Sequence, residues 1–212
     1  VVWQTRGVEF RQPRRVSKSF IINSPPSRGW RGGLGAMGST TNELPVTMEL
    51  LKKLPKTELH CHLDGSVRLE TVLDMAQQQK VKLPTEDPEK LRHYLVCGRE
   101  CKDLAEYLRA FEITLSVMQT TDSLTRTAYE LVQDVAEENV RYIEVRYSPI
   151  LHTQKGLRLT QIVDAVNDGL AQGEKDFGVK TGIIICGMRN INPETSYRLA
   201  ELAIAYKNRG VV

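Results

Sequence analysis

Two histidines one residue apart, His60 and His62, stand in the segment Pro55-Lys56-Thr57-Glu58-Leu59-His60-Cys61-His62-Leu63-Asp64-Gly65-Ser66. Thr57 to Leu63 reads as a short strand, and strand side chains alternate with a period of two. Glu58, His60, His62 and Asp64 then tend toward one side, and Leu59, Cys61 and Leu63 toward the other. Two imidazoles aimed at the same side can bind one divalent metal, each at about 2.0–2.1 Å. A bare His-x-His is more often a surface pair or a satisfied core pair. Its place at a strand end, followed by Asp64 and a glycine that lets the backbone turn closely, favours the metal. Two histidines are still an incomplete catalytic zinc site, which wants three protein ligands and an open position. The chain holds no His-Glu-x-x-His helix, no glycine-rich phosphate loop, and no His-x-Glu paired with Pro-Cys-x-x-Cys.

The elements that must position this segment alternate between helix and strand from Pro45 onward. Met48 to Leu54 is a short amphipathic helix, and Val67 to Gln79 has helical spacing of apolar residues. Pro88 suits the start of a further short helix. Leu104 to Met118 and Leu124 to Glu138 are long helices; in the second, Ala128, Leu131, Val132, Val135 and Ala136 recur at three and four. Val140 to Tyr147 is β-branched and aromatic, closed by Ser148-Pro149, and reads as a strand. A helix over Thr160 to Phe177 ends at Gly178 as a C-cap. Thr181 to Cys186 is a continuous apolar strand buried on both faces. Pro193 opens a helix to about Asn208, and Gly210-Val211-Val212 begins one more strand. Strands separated by crossover helices predict a parallel sheet. A closed barrel of eight such units takes about 250 residues, and only 168 follow Leu44. Two α/β architectures remain: a small open doubly wound sheet, or the first half of a (β/α)8 TIM barrel. The half barrel is favoured, because ending in mid-strand leaves an unpaired apolar edge.

Composition narrows the classes. Hydrophobic residues make up 41% and charged residues 26%, enough for a sizeable core. Charge is uneven. Residues 1–36 hold seven Arg or Lys against Glu9 alone, leaving 22 basic and 25 acidic residues in 37–212. The body is thus slightly acidic and carries no nucleic-acid stripe. No apolar run approaches the roughly 18–20 residues of a membrane helix. Cys61, Cys97, Cys101 and Cys186 read as reduced thiols of a cytoplasmic protein rather than a disulfide framework. Cys97 and Cys101 lack the second pair a zinc knuckle needs. Residues 1–44, rich in Arg, Ser, Gly and Pro, are expected to be disordered. Met37 is the first methionine. One reading makes residues 1–36 a translated leader, and the other an organelle transit peptide.

The segment Lys56 to Ser66 resembles the opening signature of the adenosine deaminase family. Tyr142-Ile143-Glu144-Val145-Arg146-Tyr147-Ser148-Pro149, Glu174-Lys175-Asp176-Phe177-Gly178-Val179-Lys180 and Cys186-Gly187-Met188-Arg189 resemble that family in the same order. The likeness runs from about Pro45 to Val212. It implies a (β/α)8 barrel that binds one Zn2+ and hydrolyses adenosine to inosine and ammonia. By that resemblance His60 and His62 are zinc ligands, while His62 and Asp64 line the nucleoside site. It also implies machinery further along the chain: a third zinc histidine, a glutamate proton donor, a histidine beside the metal water, and two consecutive aspartates. None of these has a counterpart here, so the chain is expected to be an inactive N-terminal half of an enzyme that is monomeric when complete. Its partner would be a small nucleoside, not nucleic acid or membrane.

Two other readings stay open. One is a relative that acts on adenine, AMP or N6-modified AMP, against which Asp64 favours adenosine. The other is a truncated protein that binds without catalysis. His93 is expected to be solvated. His152, after Ser148-Pro149, is expected on the functional face, either touching ligand or holding a loop. Glu144 and Arg146 share strand parity, so inside a barrel they would pair and support the site, because an isolated buried charge is costly. Met188 and Arg189 are read as supports in the same way.

Overall fold

The computed structural model describes residues 46–96 and 104–212. The basic extension over residues 1–44 and the Cys97/Cys101 pair lie outside the described residues. Three strands, β1 (Lys56–His62), β2 (Val140–Tyr147) and β3 (Lys180–Ile185), run parallel in the order β1-β2-β3. Beyond β3, Val211 forms a parallel bridge with Ile183. The Ile183 amide donates to Gly210 O at 2.8 Å and the Val212 amide to Ile183 O at 3.1 Å. A fourth strand therefore starts beside the third. This strictly sequential order is that of a barrel; a doubly wound sheet reverses its order at a switch point. The chain is the α/β half barrel that its strand count predicts.

Helices α1 (Met48–Lys53), α2 (Leu69–Gln79), α3 (Pro88–Leu95), α4 (Leu104–Val117), α5 (Thr121–Glu137), α6 (Leu159–Phe177) and α7 (Pro193–Tyr206) fill the connections. Their local signals are readable. Asp87 accepts from the Glu89 and Lys90 amides ahead of Pro88. Gly178 ends α6 at φ 71°, a left-handed conformation that suits glycine. Helix α5 begins at Thr121, earlier than the expected Leu124, because Thr120 and Ser123 form a reciprocal capping box there. Helix α2 begins at Leu69, later than the expected Val67; Val67 is buried in the turn before it.

One face of the sheet is the core. Ile143, Val145 and Tyr147 of β2 are buried, with Cys61, Leu63 and Ile183 beside them and α5 and α6 represented by Leu131, Val132, Ile162 and Val166. Helix α6 lies very close to α5. A Cβ built on Gly173 would come within 2.6 Å of Val132 Cβ, and one on Gly169 would overlap the Thr125 carbonyl oxygen. Helix α2 is tied to α5 by polar bonds. The Arg68 guanidinium donates to both carboxylate oxygens of Asp134, which is 5% exposed, and Thr71 donates to Glu130 at 2.6 Å. Because Arg68 precedes α2, this clamp also fixes the turn after His62. Among the described residues no helix is long and apolar enough to cross a membrane.

The simple alternation expected of β1 does not hold. Between Lys56 and Thr57 the partner strand carries one extra residue. Between Glu58 and Cys61, β1 carries the extra one: Glu58 stands level with Ile143, and Cys61 with Val145. Such a bulge breaks the period of two. Leu59, expected on the core side with Cys61 and Leu63, is instead 56% exposed, and Glu58 falls out of phase with His62.

Candidate metal and substrate site

The bulge spans Leu59 and His60, so it includes the first of the two histidines. His60 and His62 both lie exposed at the C-terminal end of β1, with ring centroids 5.5 Å apart. Opposite them, His62 pairs in register with Arg146 of β2. Arg146 reaches back across the strands, its Nη1 lying 2.6 Å from His60 Nδ1 and 2.9 Å from Nε2, so it donates to whichever ring nitrogen carries no proton. Below, the His60 amide donates to Glu58 Oε1 at 2.8 Å. Desolvation, then the Arg146 charge, then His62 hold the His60 imidazole below the ordinary histidine value. That favours the neutral form, whose nitrogen lone pair a metal requires.

The turn after the histidines is fastened from within. Ser66 Oγ donates to His62 O at 2.6 Å and lies 3.4 Å from Cys61 Sγ; the Ser66 amide donates to Leu63 O. The Leu63 amide donates to Arg146 O at 3.0 Å, tying the turn to β2. This brings Asp64 beside the pair, with Oδ1 3.7 Å from His62 Nδ1. Asp64 is 5% exposed, and its Oδ1 is buried without a hydrogen-bond donor among the described residues. A buried carboxylate oxygen left in this state is costly unless something donates to it. The sequence-derived trio of His60, His62 and Asp64 thus comes together. Among the described residues no group of three His, Cys, Asp or Glu side chains is arranged to hold a metal ion. The pair supplies two imidazole donors on one face, which fit two of the three ligands of a catalytic zinc site.

Other expected residues fall differently. Glu144 and Arg146 do not pair. Arg146 turns to His60, and Glu144 accepts from Tyr142 Oη at 3.0 Å. The mutual pair expected of them is therefore absent, and of the two only Arg146 meets one of the histidines. His93 is exposed on α3. His152 is fully buried in a 3-10 turn (Pro149–His152) and donates from Nδ1 to Met118 O at 2.9 Å, so it holds a loop. Met188 is half-buried and Arg189 exposed. One residue that sequence reasoning passed over is Phe111. Its ring meets His62 edge-on with centroids 6.2 Å apart and lies against Gly65, where an added Cβ would approach it to 3.3 Å. Helical periodicity placed Phe111 on α4, but nothing in the sequence says where α4 crosses the sheet.

The model of the family described as adenosine deaminase matches residues 55–212. This chain belongs to the adenosine deaminase family. It is 44% identical over 162 residues to the adenosine deaminase of Enterococcus faecalis, covering 76% of this chain and 48% of that protein. Among solved structures, it is similar to an adenine deaminase from Arthrobacter aurescens, with TM-score 0.63 and 29% identity over 71% of this chain and 45% of the other. It is also similar to an N6-mAMP deaminase from arabidopsis, with TM-score 0.64 and 28% identity over 78% of this chain and 50% of that one. The chain therefore spans about half the length of the proteins it matches here.

Proposed function

We propose that this chain contributes the first half of a zinc-dependent site that hydrolytically deaminates adenosine to inosine and ammonia. The observation that carries the reading is the strand-end face on which His60, His62 and the buried, donor-seeking Asp64 Oδ1 stand together. His60 and His62 would hold the zinc. The zinc would supply acidified water at neutral pH for attack on C6 of the purine. The residues of this chain do the positioning. The strand end sets both imidazoles 5.5 Å apart, Glu58 holds the His60 backbone, and the Ser66 bond to His62 O keeps the second imidazole at the mouth of the turn. Asp64 accepts a hydrogen bond from a hydroxyl of the nucleoside, which satisfies its orphan oxygen, and its closeness to His62 keeps ligand and substrate in one frame. Cys61 and Cys186 are free thiols, in keeping with a cytoplasmic enzyme.

A relative acting on adenine or an N6-modified nucleotide is the competing reading, since similar solved structures carry those names. The deciding experiment follows conversion of adenosine, adenine and N6-methyl-AMP, one at a time, by the complete product of this gene. Adenosine should be the preferred substrate by kcat/KM, and the 212-residue chain alone should show none above background. Preference for adenine or the nucleotide would overturn the substrate. Robust turnover by the 212 residues would overturn the need for further ligands.

A further inference from the structure

The last turn of α4 is fastened unusually well. A helix end leaves four carbonyls without partners inside the helix. Here, side chains from three places take three carbonyls at or just beyond that end. Gln79, the last residue of α2, donates to Val117 O at 2.6 Å. His152 donates from Nδ1 to Met118 O at 2.9 Å. Gln119 donates to Leu115 O at 2.8 Å and to Leu151 O at 3.0 Å, while its Oε1 accepts from the Gln154 amide at 3.0 Å. Lys155 closes the set by donating to Gln79 Oε1 at 2.9 Å. Met118, Gln119 and His152 are at most 2% exposed. In such surroundings hydrogen bonds are strong, and losing a partner is costly.

These bonds join the end of α4 to the loop that follows β2, about two turns of helix from Phe111. Phe111 on α4 meets His62 and Gly65. We propose that Gln119 and His152 are positioning residues that hold α4, and through it the Phe111 ring, against the His62–Gly65 turn of the site. The two act as one latch. His152 fixes the backbone where α4 ends, and Gln119 fixes the direction in which it leaves. With the latch intact, Phe111 walls the space beside His62 and Asp64, so a purine nucleoside entering there meets a preset apolar surface. The effect should therefore fall on binding rather than on the chemical step. The kinetic part of this inference rests on the deaminase reading above, and the structural part does not.

The test compares His152→Leu, which cannot donate to Met118 O, with His152→Asn, whose Nδ2 keeps a donor where Nδ1 was. Both are made in the complete gene product. Two readings are taken: the nuclear Overhauser contact between the Phe111 and His62 rings, and KM against kcat for adenosine. His152→Leu should weaken the contact severalfold and raise KM about tenfold with kcat within about twofold, since misplaced binding groups act on ground-state binding. His152→Asn should restore both toward the parent. An unchanged ring contact and KM in His152→Leu, with only the melting temperature lowered, would make His152 merely structural and overturn the proposal; so would failure of His152→Asn to restore them. If His152→Leu does not fold, Gln119→Glu gives the same two readings, because Glu keeps an acceptor for the Gln154 amide and loses both donations. A parent protein with no nucleoside turnover would sink the deaminase reading while the ring contact still decides the latch.

Discussion

Helices α5 and α6 meet along glycines that leave no spare volume, whereas His60 and His62 stand on the open face of the sheet with their rings accessible. The first region is held by close packing, with Leu131, Val132, Ile162 and Val166 shielded from water. The second is held by a register break, the hydrogen bonds of the turn after His62 and the reach of Arg146. Packing of the first kind tolerates almost no added volume. A strand-end face of the second kind tolerates change in stability but not in donor identity. Stability and chemistry should therefore separate by mutation.

The largest effect should come from the open face. His60→Ala or His62→Ala in the complete gene product should abolish zinc retention and lower adenosine turnover by about a thousandfold or more, with a melting temperature close to the parent apoprotein's. Metal content by elemental analysis checks this, and unchanged zinc would sink the ligand assignment. Next comes the packed layer. Gly169→Ala should destabilise by about 2–3 kcal/mol in chemical denaturation, because its Cβ would overlap a backbone oxygen of Thr125. The folded fraction should keep its zinc. If Gly169→Ala lost metal as readily as stability, the separation of the two regions would fail.

Smaller effects sharpen the comparison. Burial holds the His152 imidazole below the ordinary histidine value of 6.5. The unfolded chain then takes up a proton at about pH 6.5 where the folded chain does not. The stability at stake is fully present above that pH and is lost as pH falls toward the lower folded value, by up to about 1.4 kcal/mol per pH unit. Unfolding free energies measured between pH 7.5 and 5 should show this slope, and His152→Asn should flatten it; equal slopes would argue against a neutral buried imidazole. Smallest is the capping box at the start of α5. Thr120→Ala should cost about 1 kcal/mol and leave the pH slope and zinc binding untouched.

Legibility in the sequence followed the range of the interactions. Strand β2 was bounded at Val140 and Tyr147 from β-branched and aromatic content alone, and Gly178 announced the end of α6. These signals lie within a few residues of what they control. The same holds for the trio at the site, because His60, His62 and Asp64 have one residue between each pair, at the end of β1 and in the turn that follows it. Leu59 and Glu58 were misplaced because a bulge is set by the partner strand as much as by its own. The expected Glu144–Arg146 pair was wrong for a related reason: the partner each found, Tyr142 or His60, depends on how β1 and β2 are staggered.

The sequence by itself determined that this protein alternates strand and helix, that its sheet is parallel, and that two imidazoles and a carboxylate share the end of the first strand. Periodicity, capping chemistry and adjacency are local, so they survive in one dimension. Only the tertiary structure decided which side of β1 faces the core, that Arg146 meets His60, and that Phe111 on α4 reaches His62 from 49 residues along the chain. Those contacts depend on the register of neighbouring strands and on where the end of α4 is fastened by Gln79, Gln119 and His152. Both are set by groups far apart in the chain that meet only when the core has closed.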